Sequence, residues 1–289
     1  GMIARRWLLP AAAGAVAGIA AVRVARGASP ARVVSVGGSV TETVFALEAG
    51  ARVVAVDSTS RFPAPVRTLP QIGYMRALAP EGLIALRPDL LLISDEAGPP
   101  GALAVLRAAG APIAIIPDDP GGAGVVRKIE AVGAALGLDP GPVAAAVGAD
   151  WAALDASITG VRPVRAIFVL SASRGSPLVS GEGTHADAML RAAGAVNAVR
   201  GFPGYRPLSA EAAATLAPEA VVMMEHSLTE AGGVDALLRI PALAVTPVAR
   251  SRRVLAVDGS YVIGFGPRAD HARRDLARLL HPGLALPDL

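Results

Sequence analysis

An α/β fold of two lobes joined by one long α-helix, with a ligand cleft between the lobes, is what the sequence predicts. Three observations carry that prediction. Short apolar runs alternate with helical stretches from residue 32 onward, a Gly/Pro break near the middle precedes a long alanine-rich stretch, and two segments about 130 residues apart repeat one another.

In the first lobe, residues 31–139, the runs Val33-Val34-Ser35-Val36, Val53-Val54-Ala55-Val56, Leu90 to Ile93 and Ile113-Ala114-Ile115-Ile116 read as strands covered on both faces. Helical stretches fall at 40–49, 80–87, 100–109 and 122–137, which makes the sheet parallel. Gly137-Leu138-Asp139-Pro140-Gly141-Pro142 stops one helix and starts another. Val143 to Thr159 then reads as a single helix about 25 Å long, part of a linking segment 140–162 that resists wide hinge motion. The second lobe, 163–289, has strands at Ala166 to Leu170, Val221 to Met224 and Val254 to Val257, and helices at 184–194, 209–217, 233–239 and 267–280.

The repeat is the most informative feature. One copy runs Gly73-Tyr74-Met75-Arg76, a helix with Glu81 in its first turn, Pro88, and a strand. The other runs Gly204-Tyr205-Arg206-Pro207, a helix with Glu211 in its first turn, Pro218, and a strand. Facing lobes would each bring one tyrosine loop and one exposed glutamate to equivalent places.

Composition narrows the function. The chain has no cysteine, which excludes disulfides, a thiolate nucleophile and a lipid anchor on an N-terminal Cys. A net charge of +3 comes from scattered arginines, with Lys128 the single lysine, and aromatics are only 3%, so the basic, aromatic-rich surface of a nucleic-acid binder is missing. Residues 1–30 have the layout of an export signal, with Arg5-Arg6 before Trp7-Leu8-Leu9 and an apolar stretch too short for a membrane span. The arginine pair resembles a twin-arginine signal; a retained helix or anchor is the alternative. Cleavage near Ala28 would leave a periplasmic protein.

Four segments fall in a consistent order over residues 32 to 282: Ser35-Val36-Gly37-Gly38-Ser39-Val40-Thr41-Glu42, the Tyr74 loop with its helix, Gly204 to Ser209, and Gly264-Phe265-Gly266-Pro267-Arg268. With them the chain resembles the periplasmic haem-binding proteins of ABC importers, within the class that also carries cobalamin and ferric siderophores. The resemblance implies two Rossmann-like lobes on one linking helix, a non-enzymatic monomer, haem as transported ligand, and a permease dimer as partner.

A phenolate is a hard oxygen ligand suited to ferric iron, and tyrosine is a recognised haem axial ligand. A phenol ionises only near pH ~10. Arg76, two residues on in an extended loop, would share a face with Tyr74 and stabilise its phenolate. From the residues alone Tyr74 is either such a ligand or a packed tyrosine; the resemblance implies ligation. It further implies that Glu81 and Glu211 dock on permease arginines, although a first-turn glutamate also simply complements a helix dipole. Tyr205 and Arg206 are expected on the far wall of the cleft. Arg174 and Arg268 face either a haem propionate or solvent. Relatives that hold a further haem with a histidine after the second lobe's first strand differ from this chain, which reads Ser171-Ala172-Ser173-Arg174 there, so one haem per monomer is expected. His185, His226, His271 and His281 show no metal-ligand spacing. Gly37-Gly38 lacks the G-x-G-x-x-G context of a dinucleotide enzyme, and no Ser-His-Asp set stands out. A cobalamin or ferric-siderophore carrier on the same scaffold is the main alternative, and a dinucleotide enzyme a remote one.

Overall fold

The computed structural model describes residues 29–172 and 175–289, so nearly all of the export-signal segment and Arg174 lie outside the described residues. The first sheet is built from β1 (Val33–Val36), α1 (Gly38–Ala46), β2 (Val53–Val56), α2 (Pro80–Ala85), β3 (Leu90–Ser94), α3 (Pro100–Ala108) and β4 (Ile113–Ile116). Its strand order is β2-β1-β3-β4, every pair parallel, with Val33 to Val36 of β1 in register with Leu90 to Ile93 of β3. Strict alternation sends Val33 to one face and Val34 and Val36 to the other, where Leu91, Ile93, Leu83 and Leu106 complete an outer core.

α4 (Gly122–Leu136) follows, then α5 (Gly141–Ile158). Gly137 ends α4 in the left-handed conformation, φ 67° and ψ 35°, and the amide of Leu138 donates to the Gly133 carbonyl across the cap. α5, which has Pro142 in its first turn and 18 residues, is about 27 Å long and carries the chain to the second sheet.

That sheet is mixed. β5 (Val164–Ser171) is central, followed by β6 (Leu178–Ser180), α6 (His185–Ala192), β7 (Ala195–Asn197), β8 (Tyr205–Pro207), α7 (Ala210–Leu216) and β9 (Ala220–Met224). Four short helices, α8 (Glu225–Glu230), α9 (Gly233–Arg239), α10 (Pro241–Ala244) and α11 (Pro247–Ser251), lead to β10 (Val254–Val257), α12 (Gly259–Ile263) and α13 (Ala269–Leu280). The order is β10-β9-β5-β6-β8, with β7 also on β5; β6 and β8 are antiparallel to their neighbours and the remaining pairs are parallel. Thr184, Ser209 and Asp258 cap α6, α7 and α12, each accepting from a backbone amide three residues on.

The inner faces of the two sheets share one core. Val33, Val125 and Ile129 belong to the same buried cluster as Phe168, Ala186, Phe265 and Leu276, joined through the layer of α4, α5 and α13. The repeat survives in the backbone as well. Gly73 and Gly204 both take positive φ, 93° and 73°, immediately before their tyrosines, and Arg87 and Ala217, the residues before Pro88 and Pro218, both sit near φ +45°. No helix among the described residues is long and apolar enough to cross a membrane.

Candidate functional site

The loops at the carboxyl ends of β1, β2, β3, β9 and β10 converge between the lobes, where open α/β sheets place their ligands. Three adjoining cavities of about 490, 260 and 560 Å³ form one continuous cleft there. Arg76, Glu96, Asp118, His185 and Ile263 line both the first and the middle cavity; Thr59, Arg61, Phe62, Tyr74 and Ser260 line both the middle and the last.

Tyr74 is displayed by backbone geometry. Ser58 donates to the Gly73 carbonyl at 2.8 Å and Ile72 to that of Val56 at 3.0 Å, so the segment runs alongside the end of β2. Gly73, at positive φ, then turns the chain, and the Ala77 amide closes a tight turn on the Tyr74 carbonyl at 2.9 Å. Met75 is buried in the outer core and anchors the turn, leaving the Tyr74 ring 49% exposed in the cleft.

The turn corrects the extended loop expected from sequence. Arg76 still reaches the cleft, but its guanidinium is turned to Glu96, with Nη2 and Oε2 2.8 Å apart, rather than to the Tyr74 hydroxyl. The second tyrosine loop diverges from the first. Tyr205 begins β8 and lines the first cavity with Arg76, whereas Tyr74 lines the other two. Burial pushes the Tyr205 phenol up, while its bond to Thr184 and the charge of Arg76 pull the other way. Arg206, next along the strand, must point to the opposite side; it stacks over Phe202 at 4.8 Å and does not share the cleft with Tyr205.

Arg268 lies at the cleft but is already engaged. Its Nε and Nη2 each donate to one oxygen of the buried Glu42 carboxylate at 2.9 Å, and its Cζ lies 3.4 Å from the Phe62 ring centre. Glu42 belongs to α1 and Arg268 precedes α13, so this fork ties lobe to lobe. Two further links do the same. Lys128 of α4, fully buried, donates to Ser39 Oγ, Asp118 Oδ1 and the Phe265 carbonyl; His185 of α6 lies 3.0 Å from the Asp118 carbonyl through Nε2. Neither the role of Lys128 nor the contact of His185 is among the expectations from sequence. A signal for Lys128 was present: it is the single lysine, on the apolar stripe of Val125, Ile129 and Val132.

Glu81 and Glu211 are exposed in the first turns of α2 and α7. The Gly37 and Gly38 amides, which a phosphate would need, donate instead to Asp57 Oδ1 at 2.8 Å and Thr59 Oγ1 at 2.9 Å.

Asp95, at the rim of the first cavity, has its carboxyl held above the ordinary range by burial and by the nearby Asp118 charge. A raised carboxyl pKa means the ionised form is disfavoured by folding, so its cost is full at neutral pH and is relieved as pH falls through the raised value. Asp95→Asn is therefore expected to raise the thermal midpoint at pH 7, with the gain shrinking in acid; a gain that grows on acidification would contradict this.

The family model of periplasmic binding proteins matches residues 33–261. Among solved structures, the chain is 40% identical to the periplasmic heme-binding protein BhuT in complex with two hemes, over 88% of this chain and 99% of that one, with a TM-score of 0.83. It is 39% identical to the periplasmic heme-binding protein RhuT from Roseiflexus sp. RS-1, over 86% and 97%, with a TM-score of 0.82. A vitamin B12-binding protein of Yersinia pestis (strain Pestoides F) is 34% identical over 82 residues, 28% of this chain and only 29% of that protein's length. A two-lobed scaffold matched over most of its length by this model, and a cleft at the strand ends, make the chain a member of the periplasmic binding protein family.

Proposed function

We propose that the chain captures ferric haem in the inter-lobe cleft, with the Tyr74 phenolic oxygen on the iron, and hands it to the permease of an ABC importer. The observation that carries this reading is the half-exposed Tyr74 ring standing where the middle and last cavities meet, on a turn pinned by Met75. Likeness to two heme-binding proteins at about 40% identity supports it. Export of the chain through the segment led by Arg5-Arg6, by the twin-arginine route, would place it where such a carrier works. Titration of the purified protein with hemin is expected to give a Soret shift with a tyrosinate charge-transfer band, saturating at one equivalent. Partial burial raises the Tyr205 phenol above its ordinary value, which favours Tyr74 as the iron ligand. Saturation at two equivalents, each iron with its own protein ligand, would favour a complex with two haems, the state in which BhuT is described.

The match to a vitamin B12-binding protein favours a second reading, a cobalamin carrier. Retention of a corrin spectrum after incubation with cyanocobalamin, with no response to hemin, would select it.

Delivery rests on Glu81 and Glu211, which the internal repeat puts in the first turns of matched helices, exposed to a partner carrying arginines. Reversing both charges, Glu81→Lys with Glu211→Lys, is expected to abolish transporter-dependent haem uptake while leaving the hemin titration intact. Wild-type uptake by the double variant would remove the docking role.

A further inference from the structure

The two ends of the cleft differ in which charges are left without an ionic partner among the described residues. At the end lined by Tyr205 stand four carboxylates, and three of them are already paired: Glu96 with Arg76, Asp118 with Lys128 and Asp119 with Arg127, which leaves Asp95 without a cation among the described residues. At the opposite end, beyond Tyr74, three arginines, Arg61, Arg67 and Arg268, face two, Glu225 and Asp258. Arg268 is bound to Glu42, but among the described residues neither Arg61 nor Arg67 is ion-paired. The two are carried by one loop after β2, and Arg67 Nε donates to the Arg61 carbonyl at 3.4 Å, which ties the Arg67 side chain to the Arg61 backbone. Both are exposed, and Arg61 lines the middle cavity beside Tyr74 as well as the last.

Resting on the haem reading, we infer that Arg61 and Arg67 form the anion seat of this cleft: they receive the two propionate carboxylates and so fix which edge of the porphyrin points to which end. A dianionic edge placed at the Tyr205 end would meet the unpaired Asp95 carboxylate, whose ionisation is already disfavoured by burial and by the nearby Asp118 charge. Placed at the other end, it meets two guanidinium groups whose forked donors match carboxylate geometry. Neither arginine belongs to the internal repeat or to the segments that carry the family resemblance. The seat therefore sets orientation separately from the iron contact at Tyr74.

The test compares hemin with iron protoporphyrin IX dimethyl ester, whose propionates are capped, on wild type and on Arg61→Ala with Arg67→Ala. Hemin affinity is expected to fall about tenfold to a hundredfold in the double variant, the range for losing charge-assisted hydrogen bonds. Affinity for the dimethyl ester should stay within about twofold, and the Tyr74 charge-transfer band should persist in both complexes. Arg61→Lys with Arg67→Lys should recover part of the loss. An unchanged thermal midpoint shows that the loop still folds. Wild-type hemin affinity in the double alanine variant, with the band intact, would overturn the seat and leave the haem reading standing. An equal loss for hemin and the ester would also overturn it, because capped propionates cannot report a carboxylate contact. If wild type binds neither porphyrin, the haem reading fails and the seat fails with it.

Discussion

Tyr74→Phe is expected to abolish the tyrosinate-to-iron charge-transfer absorption of the hemin complex and to lower hemin affinity at least about 100-fold. Losing even an outer partner of a metal ligand costs roughly 10 to 100-fold, and here the ligand oxygen itself is removed. The substitution is a clean probe because the ring remains and the turn is held by backbone bonds and by buried Met75, so the fold does not depend on the hydroxyl. Tyr205→Phe should keep the band, since burial disfavours ionisation of that phenol. A Tyr74→Phe complex with the wild-type spectrum would show that iron is held elsewhere.

Lys128→Ala should be the most destabilising of the substitutions considered, by about 3 to 5 kcal/mol, read from chemical denaturation. Lys128 is fully buried, and burial drives its ammonium toward losing its proton, an effect opposed chiefly by Asp118. Removing it leaves the Asp118 carboxylate, whose side chain is only 10% exposed, without its cation and leaves the Phe265 carbonyl without that donor. Truncating one partner of a buried pair is costly for this reason, whereas neutralising both is milder. Lys128→Met combined with Asp118→Asn should therefore recover a substantial part of the loss. A cost below about 1 kcal/mol for Lys128→Ala would mean that water reaches the pair and screens it.

How much of this was readable from the sequence depends on length and distance. The long helices and buried parallel strands announce themselves by period, and β1, β2, β4 and β10 fall where their apolar runs begin and end. β6, β7 and β8 have three residues each, too few to show alternation, and their absence from the reading is what misplaced the second tyrosine loop. Tyr205 and Arg206 were expected on one wall; as neighbours in β8 they face opposite ways, and Arg206 lands on Phe202. Arg76 was matched to the nearby Tyr74, but its carboxylate partner, Glu96, comes from the loop after β3. The Gly264 to Arg268 segment carries part of the family resemblance, and the sequence leaves Arg268 at a propionate or in solvent. Its work in the fold is different: Phe265 fills the shared core with its ring 5.3 Å from that of His185, and a side chain at Gly266 would press within 3.0 Å of the Glu42 carboxyl. These last two contacts, 80 and 224 positions apart, leave no local pattern.

The joint at the cleft floor turns the slot into a gauge. Its width follows from covalent lengths: how far Glu42 and Arg268 extend toward one another, and how far Lys128 reaches from α4 to the Phe265 carbonyl. Jaws that swing shut adapt to any guest and spend binding energy on closing; a slot of set gap spends little on closing and sorts its guests by thickness first and by charge second. Gly266 leaves room for the Glu42 to Arg268 fork, since a Cβ there would stand 3.0 Å from the Glu42 carboxyl carbon and push on it.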